Sequence, residues 1–367
     1  MKISIDRGIL LKALNHVQSV VERRNTIPIL SNVKMDANEK GLSLIATDLD
    51  LEIIEKIEAN VLKVGSTTIS AHILYDIVRK IPEGSSIEIE QNKNNQIELR
   101  SGQSNFDLPC LPDEDFPVMS SGEMPCNFNM KSKDFIRLID KTKFAISTEE
   151  TRYYLNGIFL HSINSEFRSV ATDGHRLACI TTDLPNGAEE MPSIIIPRKT
   201  VGEIRKLMED CPDDLTIKVS DTKIQFNLKE IQLTSKLIDG TFPDYERVIP
   251  KNNDKELSVK TKIFSSSIDR VSTISSDKSK AVKFLLKDGA LTLTVINPDA
   301  GTAVETTPVE YEYDELEIGF NARYLLDIAS QIEGTDIIFA LEGSGSPALI
   351  KDSEDIQATY VLMPMRV

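Results

Sequence analysis

The sequence has no long apolar segment. No run of apolar residues approaches the roughly 18 that a membrane-spanning helix needs. The opening segment Met1–Arg7 is polar and charged, which is unlike a secretory signal. We therefore expect a cytoplasmic protein.

Cysteine and histidine are both scarce, with four of each in 367 residues. The cysteines show no CxxC spacing and no clustering with histidine; they are Cys110, Cys126, Cys179 and Cys211. This pattern favours reduced thiols in or near hydrophobic cores over a disulfide or a metal site. We predict no metal ion and no cofactor.

Sequence signatures of catalysis are also missing. There is no nucleophile-elbow pattern, no P-loop, no HExxH and no pair of catalytic carboxylates. One enzymatic alternative stays open, because His175 lies beside Asp173 and could be a base with its orienting partner. A surface adhesin built from β-rich repeats is a third class, disfavoured by the polar N-terminal segment.

One pattern is present three times. Thr47–Leu49 is echoed by Thr172–Gly174 and by Asn297–Asp299, at intervals of about 125 residues. Phe116-Pro117 returns as Phe242-Pro243 and, more loosely, as Met363-Pro364. This interval exceeds that of a solenoid repeat, so each copy is long enough to form its own core. We predict three domains, at residues 1–122, 128–246 and 247–367.

Each third combines short strands with two helices. Alternating or β-branched segments such as Gly41–Thr47, Gln96–Arg100 and Leu291–Val295 are separated by turn residues. Helices are predicted after extended segments, at Ile73–Ile81, Lys199–Cys211 and Ala322–Ile332. The predicted class is α+β, with helices on one face of antiparallel sheets.

The net charge of −15 argues at first against nucleic acid, since phosphates require lysine and arginine. Binding depends, however, on where each sign is placed. The first predicted helix, Arg7–Arg24, carries an apolar stripe (Leu10, Leu14, Val17, Val21) opposite a basic and polar one (Lys12, His16, Ser19, Arg23). The second copy places Phe135, Leu138, Ile139 and Ile146 opposite Lys133, Arg137 and Lys141. In the third copy, where Phe264, Ile268 and Val271 face inward, only Arg270 is basic on the outer stripe.

Several longer motifs carry a family resemblance that covers the whole chain. They are Pro28–Leu30, Arg152–Gly157, Val170–Leu177, Pro197–Lys199, Thr234–Gly240, Phe242–Tyr245 and Met363–Arg366. On these residues the chain resembles the bacterial DNA polymerase III β subunit, the sliding clamp family. The resemblance implies a head-to-tail homodimeric ring of six similar domains that encircles duplex DNA without reading its sequence. It also implies a non-catalytic processivity subunit that tethers the replicative polymerase and other replication and repair proteins, and that is handled by a clamp loader.

Three sets of site residues follow from the resemblance. The implied DNA contacts are Arg24, His72, Arg79, Tyr153, Tyr154, Arg198 and Lys199. A pocket for partner peptides is implied at Arg152, Tyr154, Leu155, Thr172, Gly174, His175, Arg176, Leu177, Pro243, Val248, Val361, Met363 and Met365. The dimer seam is implied at Phe106 and Leu108 of the first copy and at Thr273 and Ile274 of the third. Two departures from the family pattern are His72, where arginine is usual, and Glu149, whose charge repels phosphate.

Overall fold

The computed structural model describes residues 1–23, 26–92, 96–120, 122–275 and 280–366. Within these residues the chain forms twenty-five strands and six helices, and every strand pairing is antiparallel. The predicted α+β class is confirmed.

The elements follow the same order three times, apart from one additional short strand, Asn60–Lys63, in the first third. The first third contains β1 (Lys2–Asp6), α1 (Arg7–Val17), β2 (Asn32–Asn38), β3 (Gly41–Thr47), β4 (Leu51–Ile57), β5 (Asn60–Lys63), β6 (Gly65–Ser70), α2 (Ala71–Lys80), β7 (Ser86–Gln91), β8 (Gln96–Ser101) and β9 (Ser104–Leu111). The second contains β10 (Cys126–Met130), α3 (Ser132–Asp140), β11 (Gly157–Ile163), β12 (Glu166–Thr172), β13 (Arg176–Asp183), β14 (Ile194–Pro197), α4 (Arg198–Asp210), β15 (Leu215–Val219), β16 (Lys223–Leu228) and β17 (Ile231–Lys236). The third contains β18 (Lys255–Lys260), α5 (Thr261–Ser272), β19 (Ala281–Lys287), β20 (Ala290–Asn297), β21 (Gly301–Pro308), β22 (Leu316–Asn321), α6 (Ala322–Ala329), β23 (Asp336–Leu341), β24 (Ala348–Asp352) and β25 (Ala358–Leu362).

The first helix is shorter than its hydrophobic pattern predicts. It begins where the Asp6 carboxylate accepts hydrogen bonds from the backbone N–H groups of Gly8 and Ile9, at 2.7 and 3.1 Å. It ends at Val17 rather than at Arg24. Val20 and Val21 are nevertheless buried, because a turn rather than a helix carries them into the core.

Contacts divide the chain into two compact units, and the boundary between them passes through the second copy. The first unit comprises Met1–Asp134, Pro185–Pro192 and Lys199–Leu237. Its thirteen strands form one sheet in the order β10-β15-β16-β17-β4-β3-β2-β6-β9-β8-β7-β1-β5. Helix α1 packs beside α2 and against β3 and β4.

The second unit comprises Phe135–Leu184, Ser193–Arg198 and the chain from Ile238 onward. It contains an eight-stranded sheet, β14-β11-β12-β13-β25-β24-β23-β18, and a four-stranded sheet, β21-β20-β19-β22. Helix α5 packs beside α6 and over β20 and β21. Four fully buried rings, those of Phe264, Phe284, Phe320 and Phe339, form an edge-to-face and tilted cluster in its core.

The same two strand positions join neighbouring copies in each unit. In the first unit β17, the last strand of the second copy, pairs with β4, the fourth core strand of the first. In the second unit β25, the last strand of the third copy, pairs with the equivalent strand β13. Within the described residues, β21 pairs only with β20, and the Ser104–Pro109 part of β9 pairs only with β8. Two complementary strand edges are thus left open.

Two kinds of feature are absent from the described residues. No helix there is both long and apolar enough to cross a membrane. No group of three or more His, Cys, Asp or Glu side chains is arranged to hold a metal ion.

Candidate partner pocket and nucleic-acid interface

The loop that joins β12 to β13 is held by side chain to backbone hydrogen bonds. The Thr172 hydroxyl donates to the carbonyl of Arg176 at 2.7 Å and accepts from the N–H of Gly174 at 3.1 Å. The Asp173 carboxylate accepts from the N–H groups of His175 and Arg176 at 2.9 and 3.0 Å. Thr47 and Asp48 make the equivalent bonds in the first copy. The threonine and aspartate of the repeated motif therefore build the same turn twice.

Glycine is required at the tip of the second turn. Gly174 has φ +87°, in the left-handed region, and a Cβ there would collide with the guanidinium of Arg152. Arg152 is in turn bonded to Glu149, with Nε at 2.9 Å from Oε2, and this bond lowers the pKa of the Glu149 carboxyl. The loop at Glu149, the Arg152 side chain and the turn are consequently packed together.

Arg176 is a buried cation at the base of this turn. Its side chain is 9% exposed and donates to Asp173 at 3.1 Å, to Asp327 at 2.5 Å and to the carbonyl of Phe144 at 2.6 Å. The guanidinium also lies over the ring of Tyr324, 4.3 Å from its centroid. These contacts link the turn to helix α6.

An apolar cavity of about 270 Å³ opens in front of the turn. It is lined by Arg152, Tyr154, Leu155, Thr172, Gly174, Arg176, Leu177, Pro243, Asp244, Tyr245, Val248, Val361 and Met363. Its floor is a buried cluster that includes Leu155, Leu177, Tyr245 and Val361. Val248 and Met363 at the rim are 48% and 41% exposed, so apolar surface is available to a ligand.

Two residues predicted for the pocket lie elsewhere. The carbonyl of His175 accepts from the N–H of Met363 at 2.9 Å, while its exposed ring stacks near Tyr324, 6.3 Å between centroids, and lines a neighbouring cavity. Met365 is held in a β-bridge to Gly319 and does not line the cavity.

The cavity lining also includes Asp244 and Tyr245, which the resemblance does not imply although both belong to the Phe242–Tyr245 motif. The Tyr245 hydroxyl lies 2.9 Å from Nε2 of His161 and accepts from Arg168 at 3.1 Å. Burial raises the pKa of Tyr245 to about 12. Burial, assisted by the charge of Arg168, lowers the pKa of His161, so this histidine is neutral at pH 7. The network fixes the Tyr245 ring as part of the pocket floor.

Within the described residues, the pairing of Asp173 with the His175 ring that the enzymatic alternative requires is not formed. The Asp173 carboxylate is used by the backbone of His175 and by the guanidinium of Arg176, not by the imidazole of His175. The cysteines are also poorly placed for chemistry, since Cys110, Cys126 and Cys179 are buried and Cys211 is half-buried. Burial raises the pKa of the Cys179 thiol to about 11.

The residues implied as DNA contacts have different environments. Arg24 lies outside the described residues. The half-buried imidazole of His72 lies 3.1 Å from the side-chain oxygen of Gln18 and 3.2 Å from the carbonyl of Val21. Arg79 is 56% exposed, with its closest carboxylate, Asp76, at 3.2 Å.

The remaining implied contacts lie at Tyr153, Tyr154, Arg198 and Lys199. Tyr153 is 54% exposed and meets Tyr154 edge-on, whereas Tyr154 is half-buried in the pocket wall. Arg198 is exposed at the start of α4. Lys199 is bonded to the Asp48 carboxylate at 2.5 Å and to the carbonyl of Val20 at 3.0 Å. Arg79, Tyr153 and Arg198 are therefore the exposed members of this set within the described residues, and Arg79 is also paired with Asp76.

The predicted basic helix faces are only partly correct. His16 is buried between carboxylates, with Nδ1 at 2.9 Å from Glu55 and Nε2 at 3.0 Å from Asp210. At the equivalent place in the second copy, Lys141 is 4% exposed and pairs with Glu333 at 2.8 Å. Arg137 is held by Asp355 at 2.6 Å. Acidic partners far away in the sequence hold all three side chains, and His16 and Lys141 are buried while Arg137 is half-buried.

The residues implied at the dimer seam lie at element ends and edges. Phe106 and Leu108 are half-buried on β9, opposite Leu99 and Ile97 of β8. Thr273 is exposed just after α5, and Ile274 is half-buried.

Comparison with known proteins covers the whole chain. Family models of the DNA polymerase III beta subunit match with its N-terminal domain at residues 1–120, its central domain at 129–244 and its C-terminal domain at 246–366. The beta sliding clamp of Caulobacter vibrioides is 50% identical over the full length of both chains. That of Escherichia coli is 35% identical, again over both full lengths.

Solved structures agree with this match. The sliding clamp (DNA polymerase III subunit beta) of Bartonella birtlesii bound to griselimycin has a TM-score of 0.98 and 49% identity, with complete coverage of both chains. The Caulobacter crescentus pol III beta structure has a TM-score of 0.97 and 50% identity, also with complete coverage. The chain therefore belongs to the DNA polymerase III beta subunit family, the beta sliding clamps.

Proposed function

We propose that this chain is the processivity clamp of a bacterial replicase, closing as a head-to-tail dimer around duplex DNA. As a member of its family it is a non-catalytic subunit of DNA polymerase III. The proposal includes three clamp domains, at residues 1–122, 128–246 and 247–367, so that a dimer contains six.

The observation that carries the proposal is the rule by which copies are joined. Both internal junctions pair the last strand of one copy with the fourth core strand of the preceding copy, as β17 with β4 and β25 with β13. One strand of each kind, β9 and β21, is left open within the described residues. The same rule applied between chains pairs β9 of one with β21 of the other, and doing so twice closes a two-fold assembly without free edges at these strands.

Exposed apolar side chains at the open edges support this pairing. Val304 on β21 is 62% exposed, and the half-buried Phe106 and Leu108 lie on the part of β9 that pairs only with β8 within the described residues. We propose that Phe106 and Leu108 meet β21 of the second chain, with Thr273 and Ile274 at the adjoining helix end. Cross-strand contacts of this kind cover apolar surface and satisfy the free backbone groups together.

DNA binding in this proposal is electrostatic and independent of sequence. Its contacts are Arg24, His72, Arg79, Tyr153, Tyr154, Arg198 and Lys199, of which Arg79, Tyr153 and Arg198 are the exposed ones within the described residues. An acidic exterior with a net charge of −15 discourages unspecific attachment elsewhere.

The apolar cavity is proposed as the site for peptides from polymerases and other DNA-handling proteins. Its walls are aliphatic, aromatic and methionine side chains, which suit several partners, while Arg152, Thr172 and Asp244 offer polar groups at its edge. A clamp loader is a further proposed partner, since a closed ring must be opened before DNA can enter it. The proposed function implies that the protein works in the cytoplasm, and no step of it requires a cofactor.

Peptide binding tests the assignment of this cavity. A short peptide containing Gln and Leu, taken from a polymerase tail, is titrated against the wild type, against Met363→Ala and against Ile356→Ala. Met363→Ala removes apolar rim surface and should weaken binding about tenfold, equivalent to about 1.4 kcal/mol. Ile356, 90% exposed and not part of the cavity lining, provides the control and should leave the affinity unchanged. No binding by the wild type at high micromolar peptide would rule out the assignment.

A further inference from the structure

A second cavity, about 470 Å³ in volume, shares Arg176 with the partner pocket but has a polar lining. Its walls are Lys143, Phe144, Ile146, Ser147, Thr148, Glu149, Asp173, His175, Arg176, Arg198, Arg323, Tyr324 and Asp327. Four of these side chains are cationic and three are carboxylates, so the lining carries one net positive charge at pH 7. This is unusual surface for a chain of net charge −15.

Most of the charges in this cavity are already paired with protein groups. Arg176 is held between Asp173 and Asp327, Glu149 is bonded to Arg152 at 2.7 Å, and Lys143 to Asp140 at 2.5 Å. Paired groups of this kind have little capacity left for a ligand.

The other two cations of the lining are the guanidinium groups of Arg198 and Arg323. Within the described residues, neither Arg198 nor Arg323 has an ion-pair or hydrogen-bond partner for its side chain, and both residues are exposed. Within that part of the chain, the N–H donors of each guanidinium are therefore not used by another protein group. Together they place two unsatisfied positive charges at one site.

The first backbone N–H groups of helix α6, which adjoins the cavity, are not available to bind an anion. At the start of α6 the side chain of Asn321 accepts from the N–H groups of Arg323 and Tyr324, at 2.9 and 3.3 Å. Those two donors are consumed by the cap. An anion in the cavity would be held by the arginine side chains instead.

We propose that this cavity holds a backbone phosphate of the encircled DNA between Arg198 and Arg323. The inference rests on the proposed function and adds Arg323 to its DNA contacts. A phosphodiester carries one negative charge and two non-bridging oxygens, and forked guanidinium donors match that geometry. The polar lining favours DNA over the apolar anchor of a partner peptide, and Arg198 links the cavity with the contacts proposed above.

The salt dependence of DNA binding measures this contact directly. A fluorescein-labelled duplex is titrated at low salt and then at increasing salt with the full-length wild type, Arg323→Ala and Arg198→Ala. Each lost phosphate contact should reduce the slope of log K against log salt by about 0.9. Lys287→Ala is the matched control, because it removes one exposed charge that pairs with Glu315, outside the cavity. Thermal melting confirms that each variant is folded.

A peptide arm separates the two macromolecules that could supply the anion. Partner peptides with and without an acidic residue beside the apolar anchor are titrated against the same variants. A reduced DNA slope with unchanged peptide affinities supports the proposal. Loss of affinity for the acidic peptide alone would assign the cavity to the partner, and unchanged values throughout would also overturn the proposal. Failure of the wild type to bind DNA would instead refute the proposed function.

Discussion

The buried histidine in α1 gives a pH-dependent prediction. His16 is 4% exposed, and its two ring nitrogens lie 2.9 Å from Glu55 and 3.0 Å from Asp210. Both contacts are hydrogen bonds to carboxylates only when both nitrogens carry protons. His16→Gln keeps a polar side chain of similar size but removes the positive charge.

The magnitude follows from the cost of an uncompensated buried charge. Burial alone lowers the pKa of His16, but hydrogen bonds and charges from Glu55 and Asp210 outweigh it and raise the pKa above the ordinary 6.5. Because the folded-state pKa is the higher one, the stabilisation is complete below about pH 6.5 and is lost as pH rises through the folded-state value. The maximum slope is about 1.4 kcal/mol per pH unit. Removing the cation leaves Glu55, which is 6% exposed, without its partner and should cost about 3 kcal/mol at low pH.

Urea unfolding of wild type and His16→Gln, repeated from about pH 6 to about pH 9, measures both effects. The wild-type midpoint should fall across this range, and the variant should be less stable at the acidic end with a flatter profile. If the two proteins lose stability in parallel as the pH rises, His16 is not the titrating group and the reasoning is wrong.

Three further predictions concern the dimer seam, the buried side chain of Lys141 and the thiol of Cys179. Phe106→Lys places a charge on the open edge of β9 and should shift the solution mass from dimer to monomer. The control, Val118→Lys, changes an exposed loop residue and should leave the mass unchanged. A dimeric Phe106→Lys variant would refute the proposed strand pairing. Lys141→Met removes the buried ammonium that pairs with Glu333 at 2.8 Å, at the position equivalent to His16, and should lower the thermal midpoint; an unchanged midpoint would contradict this. The buried thiol of Cys179, whose pKa is raised to about 11, should react with a thiol reagent only when the protein unfolds. Rapid labelling of Cys179 in the native protein would show that this side chain is accessible.

Local pattern predicted the elements of this fold well. The second helices were placed within one to three residues of their observed ends, as with Ala322–Ala329 for the predicted Ala322–Ile332. Apolar stripes were correct, since Leu10, Leu14, Phe135 and Leu138 are all buried. The end of α1 was wrong, because Val20 and Val21 continue the apolar pattern from a turn.

Long-range pairing could not be predicted in the same way. His16 and Lys141 were placed on solvent-facing stripes, yet carboxylates far away in sequence bury them. The His175 ring lines the neighbouring cavity rather than the pocket, and a local motif contains no information about that placement. Tyr245 could have been found, because it belongs to the same motif as Pro243.

Encirclement is the central claim, and retention on circular and linear DNA tests it most directly. The protein is loaded onto nicked circular DNA, and half of the sample is then cut to a linear form. A clamp held by topology should stay on the circle and slide off the free ends. Equal retention on both forms would contradict the account.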